Sequence, residues 1–255
     1  MKQTSGYTIT LLLFAGLSAP LPAEDASTEQ TVMIEPEAMN ALNRMGTYLR
    51  TLQAFQVQAN VTQEDVLTDG QKVQTSQTTT ILARMPDRLM AEINGDRKKR
   101  LMLYDGKSFT LFAARAGYYA TVPAPPTIGQ LVDAVSDNYD IDIPLVDLFL
   151  WGGPRASTPE ITSATSIGPA QVGGVSCDQY VFRQPGLDWQ IWIQAGDYPL
   201  PKKLVLTTTT DEARPQHSSV LTWNLAPSFN DETFTFDPPP GANKIVFAEV
   251  AAGKN

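Results

Sequence analysis

The stretch "TLQAFQVQANVTQED", Thr51 to Asp65, changes its repeat halfway along. Upstream of it, Ala38, Ala41, Leu42, Met45, Leu49 and Leu52 recur at steps of three and four, the spacing of one helical face. Pro36 suits the first position of such a helix, because its missing N–H would have no partner there anyway. Gly46 falls inside the pattern and weakens it slightly. From Phe55 the period becomes two: Phe55, Val57, Ala59 and Val61 alternate with Gln56, Gln58, Asn60 and Thr62. That alternation builds a strand with one dry face and one wet face. The spacing predicts a helix over 36–52 that leads straight into sheet.

Further strands are expected at 71–85, 88–94, 99–104, 108–113 and 117–122. Asp69-Gly70, Asn94-Gly95, Asp105-Gly106 and Gly117 supply the hairpin turns between them. Helical spacing returns at Ile128, Leu131, Val132 and Val135, and Pro144 to Trp151 offers a short apolar turn. Strands then resume at 160–167, 172–183, 188–194, 202–210, 218–226 and 233–236. Hairpin turns this short leave no room for parallel crossovers, and one long antiparallel sheet must curl on itself. The fold expected is mainly β: a curled, incompletely closed antiparallel barrel of about ten to twelve strands. The helices at 36–52 and 127–150 are the only amphipathic elements able to cover its concave face.

Lys2, the apolar run Ile9 to Leu17 and the small residue Ala23 before Glu24 form a secretory signal peptide. The run is too short to span a bilayer, and no later stretch approaches that length. Cleavage near Ala23 leaves a flexible leader over 24–34 and a single domain over 35–255, exported to the periplasm. The whole chain has 19 basic and 27 acidic residues; loss of Lys2 leaves 18 against 27, a net charge of −9. Such a chain is unsuited to broad nucleic-acid binding. Cys177 is the single cysteine, so no internal disulfide can form.

Three motifs resemble one superfamily. "FTFDPPPGANKI", Phe234 to Ile245, is similar to the C-terminal signature of the LolA/LolB lipoprotein carriers, a Phe-x-Phe strand running into Pro-Pro-x-Gly. "ILARMPDRLMAEI" and "LYDGKSFTLF" resemble that superfamily's Arg-Pro strand and Asp-Gly-Lys hairpin. Here Met85 stands between Arg84 and Pro86. The second half, "CDQYVFRQPGLDWQIWIQAGDYPLPKKLVL", is closer still to the uncharacterised periplasmic family DUF2092. The resemblance implies a curved sheet wrapped round helices and enclosing an apolar cavity, with Arg84 a candidate latch. It also implies that Pro238, Pro239 and Pro240 end the last strand where the chain leaves along the rim. Ile245 to Phe247 then pack back over an edge.

Alternation assigns the cavity wall to Phe55, Val57 and Val61, to Leu89 and Ile93, and to Trp189, Ile191 and Ile193. Leu131, Val135 and Trp151 would form a lid. Acyl chains need only apolar area, about 0.8 kcal/mol per buried CH₂, so such a site requires no metal or cofactor. Catalysis finds little footing. His217, the one histidine, is expected as a solvated turn residue, and Cys177 as a small buried hydrophobe. Asp178 stands where a nucleophile elbow needs glycine. The basic run Arg97-Lys98-Lys99-Arg100 is either a solvated hairpin end or a contact for anionic headgroups or an acidic partner. The leading expectation is a non-enzymatic carrier of a lipid, acyl chain or lipoprotein. The alternative is a module that docks on an envelope complex without a ligand.

Overall fold

The computed structural model describes residues 33–154, 156 and 158–248; the expected signal peptide and most of the leader lie outside the described residues. Helix α1, Pro36–Thr51, opens the chain with Pro36 in its first turn. Six strands follow: β1 (Ala54–Val66), β2 (Lys72–Arg84), β3 (Arg88–Gly95), β4 (Lys99–Tyr104), β5 (Ser108–Ala113) and β6 (Tyr118–Pro123). Helices α2 (Ile128–Tyr139) and α3 (Asp147–Leu150) interrupt. Five more strands come next: β7 (Ser163–Val172), β8 (Val175–Gln184), β9 (Leu187–Gln194), β10 (Pro201–Thr208) and β11 (Gln216–Asn224). A two-residue strand, β12 (Asn243–Lys244), ends the series.

All twelve strands lie in one open sheet, ordered β12-β6-β5-β4-β3-β2-β1-β11-β10-β9-β8-β7. Two meanders are thus joined at the centre, where β1 pairs with β11 and Ala59 faces Leu221. The order decides where the helices go. Strand β6 lies near one edge and β7 forms the other, so the α2–α3 connection between them must cross a whole face of the sheet. Its covered face is the concave one: Phe55, Val57, Ile81, Leu89, Met102, Trp189 and Ile191 share one core with Leu42 and Met45 of α1 and Leu131 and Val135 of α2.

Gly46 has a structural reason. A Cβ built on it would lie 2.6 Å from the Gly152 nitrogen, and one on Gly152 would lie 2.5 Å from the Gly46 carbonyl carbon. Gly152 also takes φ +72°, a region that favours glycine. Helix α1 and the chain after α3 therefore meet backbone to backbone.

Two expectations need correction. Residues 233–236 form no strand: Asp231–Phe234 is a 3-10 turn capped by Asn230, whose side-chain oxygen accepts from the Thr233 N–H at 3.2 Å. Four alternating residues cannot distinguish a strand from a turn that points one phenylalanine each way. The prolines accordingly end no sheet strand. From β11, in the middle of the sheet, the chain must reach β12 beyond β6, and it does so as a strap over the convex face. Phe234, almost fully buried, lies under the Arg84 guanidinium, 5.7 Å from the ring centroid, and Arg84 pairs with Asp231. Alternation with inward Ile81 and Ala83 turns Arg84 outward. Further along, Phe236 packs on Phe112 and Tyr119 at 5.5 and 5.0 Å. Pro238 to Pro240 carry no N–H, so a segment crossing strands without a ladder leaves no donor unpaired there. Asn243–Lys244 then pairs with β6, and this pairing is parallel, the one exception to the antiparallel order among the named strands. Beyond it, Phe247 turns round the edge to meet Phe109 and Tyr139 of α2, at 6.5 and 5.1 Å.

The second correction is His217. It sits on β11, partly buried, and its Nε2 lies 2.9 Å from the Ser219 hydroxyl. Residues two apart on a strand share a face, so both point inward with Leu221. Burial lowers the imidazole pKa, favouring the neutral form.

Candidate functional site

The α2–α3 segment is held at its start by two hydrogen bonds. The Ile128 N–H donates to the Pro86 carbonyl at 2.8 Å, and the Tyr104 hydroxyl donates to the Pro125 carbonyl. Burial pushes the Tyr104 phenol up to about 12, so it stays a donor at ordinary pH. Thr127 caps α2 by accepting from the Gln130 N–H at 3.3 Å. At the far end, Phe149 of α3 packs on Phe55 at 5.9 Å, and Trp151 follows just before the glycine contact with α1.

Between this segment and the sheet lies a cavity of about 110 Å³. Trp151 lines it from the segment side, Leu187 and Trp189 of β9 and Leu204 and Leu206 of β10 line it from the sheet, and Asp147 and Gln184 are its polar members. Trp189 stacks on Phe182 at 4.2 Å with the planes 19° apart. Its indole N–H donates to the Gln184 amide oxygen at 3.2 Å. Among the described residues no hydrogen bond or ion pair reaches the Asp147 carboxyl. Burial alone pushes its pKa up.

Of the wall and lid residues expected from sequence, Trp189 and Trp151 line this cavity. Phe55, Val57, Val61, Leu89, Ile191 and Ile193 face inward into the core they share with the helices, Ile93 is buried outside that core, and Leu131 and Val135 are themselves packed into it. Sequence reading missed Asp147, Gln184, Leu187, Leu204 and Leu206. Their signal was present: Leu187 stands two residues before Trp189, Leu204 and Leu206 alternate, and Asp147 is the one acid in Pro144 to Trp151. Arg84 clasps the strap on the convex face. Arg97, Lys98, Lys99 and Arg100 are exposed around the β3–β4 turn, outside the cavity lining.

His217 and Ser219 bring a base and a hydroxyl together, but the surrounding backbone N–H groups are committed to ladders with β1 and β10. Among the described residues no group of three metal-binding side chains converges. No described helix is long and apolar enough to cross a membrane.

A curled, unclosed sheet with helices on its concave face and an apolar cavity beneath them defines a class of β-rich, cavity-bearing proteins. The chain belongs to the DUF2092 family of predicted periplasmic proteins, which it matches over residues 38–248, and it is periplasmic. No curated protein matches it. Among solved structures it is similar to an uncharacterised conserved protein of Thermus thermophilus, at 12% identity and TM-score 0.48, covering 82% of this chain and 99% of that one. The Mycobacterium tuberculosis lipoprotein LppX matches at 9% identity and TM-score 0.46, covering 77% and 100%. A LolA superfamily protein of Nitrosomonas europaea matches at 8% and 0.38, covering 78% and 97%.

Proposed function

We propose that the protein is a non-enzymatic binder or carrier of a hydrophobic ligand, a lipid, acyl chain or lipidated protein, taken up beneath the α2–α3 segment. The observation that carries this reading is the cavity between Trp151 and the Leu187–Trp189–Leu204–Leu206 floor. At about 110 Å³ it is smaller than the ~300–1,000 Å³ of typical ligand pockets. Loading a long chain therefore requires α3 and its flanks to lift. The expected wall then becomes available in order: Phe55 once Phe149 leaves it, and Val57 and Ile191 deeper in. Leu131, Val135 and Trp151 act as the lid in this scheme.

The closely packed interior and the exposed Arg97–Arg100 turn favour a second reading, a module that docks on an anionic membrane surface or envelope protein. Mass spectrometry of lipids extracted from protein purified from its native periplasm separates the two. A stoichiometric lipid is expected. A lipid-free protein that also fails to take up an apolar dye would leave the docking reading in possession.

A further inference from the structure

We propose that the Asp147 carboxyl is a polar handle in the Trp151–Trp189 cavity, selecting amphiphiles whose head donates a hydrogen bond, an alcohol or an amine, over carboxylates. This rests on the carrier reading and adds the chemical class of the ligand's head.

The cavity offers a ligand two kinds of contact. Its floor is hydrocarbon and indole, indifferent to the identity of a chain. Its polar lining consists of Asp147 and Gln184. The Gln184 oxygen is already taken by the Trp189 N–H, and its NH₂ has no described partner. No arginine or lysine is among the lining residues. Arg183 of β8 and Arg214 of the β10–β11 connection both bind Asp188, at 2.6 and 2.9 Å. Arg183 and Asp188 alternate with inward Phe182 and Trp189, so they lie on the other face of the sheet. Among the described residues, Asp147 thus lines an apolar space with neither a cation nor a donor set against its carboxyl. A half-buried carboxyl set against hydrocarbon is short of partners, and a ligand that donates to it supplies one. A carboxylate head meets like charge in a medium that screens less than bulk water, with no cation among the described lining residues to offset it.

The test uses the full mature protein at pH 8 with diphenylhexatriene, an apolar dye with no polar group, and displaces it with decanol, decylamine and decanoate. Decanol and decylamine are expected to displace the dye at about tenfold lower concentration than decanoate, the size of one charge-assisted hydrogen bond. Asp147→Asn, nearly isosteric, should bring the three competitors within about threefold of one another. Asp147→Leu should do the same while retaining dye uptake, and circular dichroism shows whether each variant is folded. Equal displacement by all three in the unaltered protein, or an order that survives in both variants, overturns the handle and leaves the carrier reading standing. If the unaltered protein takes up no dye, the carrier reading fails and the handle falls with it.

Discussion

Replacing Gly46 by alanine sets two effects of opposite sign against each other. In an exposed helix interior the change would stabilise by about 1 kcal/mol, because alanine loses less backbone freedom. Here the new methyl carbon would sit 2.6 Å from the Gly152 nitrogen and 2.8 Å from its Cα. Both are backbone atoms, so no rotamer change relieves the clash, and the cost belongs at the upper end of the ~1–3 kcal/mol seen for overpacked cores. The net expectation is a loss of about 1–2 kcal/mol, or a fall in Tm of roughly 2–8 °C for a chain of this size. The clash pushes Trp151 away from the helix, so its fluorescence should shift to the red even where the protein remains folded. Urea unfolding of Gly46→Ala beside Thr47→Ala, its exposed neighbour, provides the assay. Thr47→Ala should gain a few tenths of a kcal/mol at most. A Gly46→Ala variant more stable than the unaltered protein would refute the close approach of α1 to the α3 end.

Phe234→Ala should cost about 3–5 kcal/mol by chemical denaturation, whereas an exposed flexible tail would lose nothing measurable. Arg183 and Arg214 hold the Asp188 carboxyl below the usual carboxylate range. Its contribution is therefore complete above the unfolded pKa of about 3.9 and is lost as pH falls through the lower folded value. The stability gap between the unaltered protein and Asp188→Asn should accordingly be present at pH 7 and shrink below pH ~4; a gap that stays constant down to pH ~2 contradicts the pairing. Changing Arg97, Lys98, Lys99 and Arg100 to glutamine should leave Tm unchanged and weaken binding to anionic vesicles most at low salt. Undiminished low-salt binding would mark the turn as merely solvated.

Most of the sheet is readable because β1 to β11 each run over six or more residues, with turn chemistry such as Asp105-Gly106 between them. What alternation cannot carry is neighbourhood. Nothing local says that β1 will pair with β11, yet that pairing sends α2 and α3 across the concave face. The value of Gly46 was hidden for the same reason, since its partner lies 106 residues away in sequence. The site was half legible. Trp151 and Trp189 stand out by size, but which inward residues stay uncovered depends on how far the helices reach, and that is settled by packing. In the sequence Asp147 is one of 27 acidic residues, and only the fold sets it against the hydrocarbon of the cavity.

The strap also bears on assembly of the protein in time. Strand β6 gains its outer neighbour only from Asn243–Lys244, while at the opposite edge β7 meets Ile34 and carries a bulge before Pro169. In delivery that proceeds from the N-terminal side, residues 243–245 arrive after every other strand of the sheet. Until they do, β6 is an unsealed edge open to strand exchange with another copy. A bulky fusion placed directly after Phe247 would hinder that final closure, whereas one placed ahead of α1 would leave it free.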